Sequence, residues 1–208
     1  MIVILLLAIV IFFVLLYITR KNNKIQYHVI HLKHETRRLE HIKNIENILG
    51  QKIKIFDANP PEVYGEFKPG VVGCYKSHKK LLESVKGTPG YTVIFEDDVI
   101  FPKDFHQQIK DIVNKLDDFD IVYLGNLDGN HATQIIDNIY RIDPTRLLTG
   151  MHAYIVKNKH TDKITRKLKF KTAIDLEIPE LIHTEGLNGY VIWPSLASQN
   201  SSFPSATR

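Results

Sequence analysis

The sequence predicts an α/β domain built on a mostly parallel sheet flanked by helices, preceded by one N-terminal transmembrane helix. Three observations carry this expectation. Short β-rich runs alternate with segments of helical periodicity. The run Tyr91–Phe95 ends abruptly in Glu96-Asp97-Asp98, three carboxylates in a row. Ile2 to Ile18 are seventeen residues without a charge, about 26 Å of helix against a hydrocarbon core of roughly 30 Å.

The elements follow in order. Gln26 to Leu32 alternates and reads as the first strand. In Thr36 to Leu49 the apolar residues Leu39, Ile42, Ile45 and Leu49 recur at helical spacing and Gly50 stops the helix. Lys52 to Phe56 is a second strand, and Asp57 to Lys68, with Pro60-Pro61 and Gly65, a loop. Pro69 to Val85 is a helix with Val71, Tyr75, His78, Leu82 and Val85 on one face. Tyr91 to Phe95 is the third strand. Pro102 to Leu116 is a helix with proline in its first turn, and Asp120 to Leu124 a fourth strand. Leu127 to Thr133 is a loop. Ile139 to Ile142 and Ala153 to Val156 are later strands, and Lys159 to Leu168 a helix. Ser195 to Arg208 is a polar tail or an active-site flap. The expected division is an anchor with its basic flank over 1–23 and a catalytic domain over 24–208.

Arg20, Lys21 and Lys24 directly follow the apolar run. The positive-inside rule then places the protein as a single-pass membrane protein with its domain facing the cytoplasm. The single cysteine, Cys74, excludes an intrachain disulfide and a multi-cysteine zinc site. Net charge is +4, from 27 basic and 23 acidic residues. That suits an anionic small molecule, and no nucleic-acid motif accompanies it. No GxGxxG, GxSxG or complete P-loop occurs, which sets aside dinucleotide binding, a hydrolase elbow and a Walker-type site.

The acidic trio is the sharpest chemical signal. Two unit charges about 4 Å apart repel by roughly 4 kcal/mol at an effective dielectric near 20, and a divalent cation removes that cost. On a continuing strand Glu96 and Asp98 share one face and Asp97 takes the other. Open α/β sheets bind ligands at the carboxyl ends of their strands, where this trio falls.

Four segments carry a family resemblance. They are Val29-Ile30-His31-Leu32-Lys33 with Arg38-Leu39; Gly70-Val71-Val72-Gly73-Cys74-Tyr75-Lys76-Ser77-His78; Phe95-Glu96-Asp97-Asp98-Val99; and Thr149 to Val156 followed by Ile174-Asp175-Leu176. In order and spacing they resemble glycosyltransferase family 25, the lipooligosaccharide and procollagen galactosyltransferase-like family, over most of Tyr27 to Phe203. His31 and Arg37 depart from the family's usual Asn and Asp. The resemblance implies a GT-A-like fold, a nucleotide-sugar donor (a UDP-sugar first), a glycan or other hydroxyl-bearing acceptor, and inversion at the anomeric carbon. It implies Mn²⁺ or Mg²⁺ held by Asp98 and Glu96. Lys33, Arg38, Ser77, His78, Glu96 and Asp97 are then donor-side residues and Asp175 the catalytic base. The rival expectations are a nucleotidyltransferase and a non-catalytic membrane-tethered glycan- or nucleotide-sugar-binding protein.

Overall fold

The computed structural model describes residues 24–203 except 117, 128–132, 144 and 147, together with 7, 9, 11 and 12. Eight strands form one sheet in the order β2-β1-β3-β8-β5-β9-β7-β6. Six of the eight are β1 (Ile25–His31), β2 (Ile53–Asp57), β3 (Tyr91–Glu96), β5 (Ile121–Gly125), β8 (Ala153–Lys157) and β9 (Gly189–Ile192), with β2 at one edge. β6 (Gln134–Ile136) and β7 (Ile139–Arg141) form a hairpin at one edge. Six strands run one way and β7 and β8 the other. The expected mostly parallel α/β sheet is therefore present, with one antiparallel strand in its middle.

Helices cover both faces. Tyr27, Val29, Val93 and Phe95 project to the side of helix α1 (Thr36–Leu49) and helix α3 (Phe105–Lys115). Ile30, Ile94, Tyr123 and Tyr154 project to the side of α2 (Pro69–Val85), α4 (Thr161–Thr165) and α5 (Ile174–Thr184). This is the period-two alternation of a sheet buried on both faces. Helix α1 closes where Gly50 takes the left-handed conformation (φ 63°) and its N–H bonds the carbonyl of Glu46.

Two registers place the site. Ile30 lies opposite Glu96 and His31 opposite Asp57, so the carboxyl ends of β1, β2 and β3 share one rim. Antiparallel β8 pairs Ala153 with Phe95 and brings its amino end, with Gly150 and His152, to that same rim. The Glu96 N–H donates to the His152 carbonyl at 3.0 Å.

Several expectations are revised. The helix expected from Pro102 begins at Phe105. The one expected over Lys159–Leu168 is a 3₁₀ turn (Asn158–His160) followed by α4. β6, β9 and α5 are additional elements. The tail contributes a short strand β10 (Ser198–Gln199) that pairs antiparallel with β4 (Val99–Ile100).

The single-pass membrane placement, with its cytoplasm-facing domain, is corrected. No helix among the described residues is long and apolar enough to cross a membrane. The longest with assigned bounds, α2, has 17 residues and carries Lys76, Lys79 and Lys80. Of the run Ile2–Ile18 only Leu7, Ile9, Ile11 and Phe12 are described, as helix. The rest of that run, most of the Leu127–Thr133 loop and residues 204–208 lie outside the described residues.

Candidate active site

A cavity of about 540 Å³ opens over the common rim. Its lining includes Arg38, His78, Glu96, Asp98, His152 and Asp175, drawn from α1, α2, the β3 end, the β8 approach and α5.

The strand stops at Glu96, and Asp97 and Asp98 form a turn. The expected strict alternation therefore ends there: both aspartates reach Arg38. Asp97 is fully engaged. His31 Nδ1 stands 2.7 Å from its Oδ2, and the Arg38 guanidinium donates to its Oδ1. Arg38 is also 3.6 Å from Asp98 Oδ2. The Arg38 and Asp97 side chains are 7% and 8% exposed, so this is a buried ion pair. Phe203 stacks beneath the guanidinium, 5.3 Å from ring centroid to Cζ.

Asp98 is different. Its Oδ1 is buried without a hydrogen-bond partner. Burial first, and then the Glu96 charge, push its carboxyl up to about 6, against a smaller opposing pull from Arg38. An acid whose folded value exceeds its unfolded one costs stability when ionised. The cost is absent below about pH 4, grows between about pH 4 and 6, and persists above. Asp98→Asn mimics the protonated form. In EDTA at pH 8 it is expected to exceed wild type in stability by about 2–3 kcal/mol, converging with it near pH 4. Urea unfolding across that range checks this, and a pH-independent difference would refute it.

Glu96 faces α2. Burial alone would raise its carboxyl, but the hydrogen bond and charge of His78, with His152 and Arg38, hold it below the ordinary value. Gln199 donates to its Oε2 at 3.3 Å. His78 is buried between Tyr154 Oη (2.9 Å from Nδ1) and Glu96 (3.4 Å from Nε2). Ser77 donates to the Gly73 carbonyl and accepts from the Asn59 N–H, so it pins the loop after β2 onto α2. Lys33 lies outside the cavity lining, exposed at the rim and 3.7 Å from Asp57. Asp175 sits in the first turn of α5, its Oδ2 3.5 Å from the Gly150 N–H.

Two contributions escaped the sequence reading. His152 is buried; Nε2 meets the Ala197 carbonyl at 3.2 Å and Nδ1 is buried without a partner. The tail is the other, since Asn200 N–H bonds the Asp98 carbonyl at 2.7 Å and Gln199 reaches Glu96. The Pro-flanked polar tail signalled a flap but not which carboxylates it meets. Gly125 makes this junction possible. A Cβ there would stand 2.1 Å from His152 Nε2 and 2.6 Å from the Ala197 carbonyl. Gly125→Ala is expected to cost about 3 kcal/mol. A midpoint in urea equal to that of wild type would refute the close approach.

The fold and this rim-mounted acidic cleft place the protein among α/β enzymes whose site lies at the carboxyl ends of the strands. The chain belongs to glycosyltransferase family 25: the model described as "Glycosyltransferase family 25 (LPS biosynthesis protein)" matches residues 24–199. It is a glycosyltransferase. Its fold is similar to that of the crystal structure of a glycosyltransferase involved in the glycosylation of the major capsid of PBCV-1. That match has 11% identity and a TM-score of 0.52, covering 86% of this chain and 94% of the other. A putative glucose-1-phosphate thymidylyltransferase from Bacillus anthracis matches at 12% identity and TM-score 0.43, covering 83% of this chain and 69% of the other. No curated protein matches the chain.

Proposed function

We propose that the unit spanning residues 24–208 is a GT-A-like, metal-dependent inverting hexosyltransferase. It would move a hexose from a nucleotide-sugar, UDP-galactose or UDP-glucose first, to a hydroxyl of a glycan, lipid-linked or protein acceptor. Asp98 carries the reading. A buried carboxylate oxygen without a partner, at the floor of a cleft on the sheet's carboxyl rim, fits a hard divalent cation that takes oxygen ligands. Asp97 does not offer the same, because both its oxygens are engaged.

Asp98, with Glu96 assisting, would hold Mn²⁺ or Mg²⁺. Bound there, the ion would neutralise charge on the departing diphosphate. Arg38 and Asp97 keep Asp98 in place from the α1 side, and His78 holds Glu96 from the α2 side. Ser77 shapes the donor wall through the Asn59 loop. Lys33, exposed at the rim beside Asp57, would meet the donor's phosphates. Asp175 would accept the acceptor hydroxyl's proton as the hydroxyl oxygen attacks the anomeric carbon.

The test is a panel of nucleotide-sugars incubated with the full-length chain and Mn²⁺, reading released nucleoside diphosphate with a range of saccharide acceptors. Release from at least one UDP-hexose, abolished by EDTA and restored by Mn²⁺, is expected. Pyrophosphate release instead would refute the reading.

A further inference from the structure

Cys74 and His78 are four residues apart on α2, so their side chains share one helix face. Glu96 ends β3 toward that face. His78 Nε2 and Glu96 Oε1 are 3.4 Å apart, and Cys74 Sγ and the same oxygen 4.0 Å. One ligand atom from each of the three lies within 4.8 Å of the other two. On a tetrahedral zinc, bonds of about 2.0–2.1 Å to nitrogen and oxygen and about 2.3 Å to sulfur set edges of about 3.4 Å for N···O and about 3.6 Å for S···O. The nitrogen–oxygen edge is already present, the sulfur–oxygen edge has a few tenths of an ångström to close, and the sulfur–nitrogen edge is within 4.8 Å.

The surroundings complete the pattern. His78 is 1% exposed, and its Nδ1 stands 2.9 Å from the Tyr154 hydroxyl. On binding an ion, Nδ1–H would donate to that hydroxyl and Nε2 would exchange its hydrogen bond to Glu96 for the metal. Three electron-pair donors then converge, and a cation reconciles them. A ligating histidine steadied through its other nitrogen is the usual outer-shell arrangement. All three residues line the cleft, which leaves a fourth coordination position open to it.

We propose that Cys74, His78 and Glu96 bind a divalent ion of the zinc class, one that accepts nitrogen and sulfur, at a site adjoining the oxygen-ligated position at Asp98 and sharing Glu96 with it. Glu96 contributes Oε1, while its Oε2 faces Gln199. Binding releases the thiol proton to solvent. The inference stands on these three side chains and does not depend on the donor assigned above.

The test uses the full-length chain stripped with EDTA and titrated with Co²⁺. A thiolate-to-cobalt charge-transfer band in the near ultraviolet is expected, saturating at one equivalent and erased by Zn²⁺. Cys74→Ser should remove it, Tyr154→Phe should weaken binding about tenfold or more, and Asp98→Asn should leave it intact. Cys74 is the only thiol, so wild type gives a second readout that needs no variant. Its reaction with a thiol reagent should slow severalfold with one equivalent of Zn²⁺. Absence of the band in wild type, its survival in Cys74→Ser, or a thiol equally reactive with and without Zn²⁺ would each overturn the site.

Discussion

Asp175→Asn is expected to lower kcat by about 10²–10⁴-fold while donor binding, read by calorimetry with a UDP-hexose and Mn²⁺, stays near wild type. The expectation follows from position. Asp175 lines the cleft from α5, beside Gly150, and adds to burial and the Glu96 charge in raising the proton affinity of the Cys74 thiol. Asparagine keeps the shape and can still accept a hydrogen bond, but cannot take a proton. The neighbouring acid Glu177 cannot substitute. It is buried, and its oxygens accept from the Tyr75 hydroxyl and the N–H groups of Lys169 and Lys171. A kcat within about threefold of wild type would remove Asp175 from the mechanism.

Arg38→Ala is expected to cost about 3–5 kcal/mol of stability, because it strands buried carboxylates without their counter-charge. Asp97 would keep only His31, and Asp98 would lose the one nearby cation that lowers its proton affinity. The pair can be removed together at lower cost, so Arg38→Ala with Asp97→Asn should recover most of the loss. A double-mutant cycle in urea measures the coupling. A single-variant cost below about 1 kcal/mol would mean that the pair behaves like an exposed one.

The same residues show how far the sequence reaches. The Glu96-Asp97-Asp98 trio was legible, though as a continuing strand rather than a turn, because an apolar run cannot end in three acids without a reason. The roles within the trio were not legible. Alternation paired Glu96 with Asp98, yet the strand ends two residues earlier than that argument needs, and Arg38 gathers both aspartates. His78 read equally well as a core histidine and as a ligand. Only the β3–β8 pairing, which sets Tyr154 behind it and Glu96 in front, shows that it is buried and aimed at the cleft. The tail was ambiguous because a two-residue strand has no periodicity to detect.

By itself the sequence determined the α/β alternation, the four motif segments of the family and the acidic trio, because each is written in local spacing and residue chemistry. Tertiary structure alone decided which of these acids keeps an oxygen without a hydrogen bond, which gives both oxygens to Arg38 and His31, and which meets Cys74 and His78. Those outcomes depend on strand register and on one antiparallel strand, β8, that joins residues far apart in the chain, and no local pattern encodes which distant side chain will stand opposite a given carboxylate.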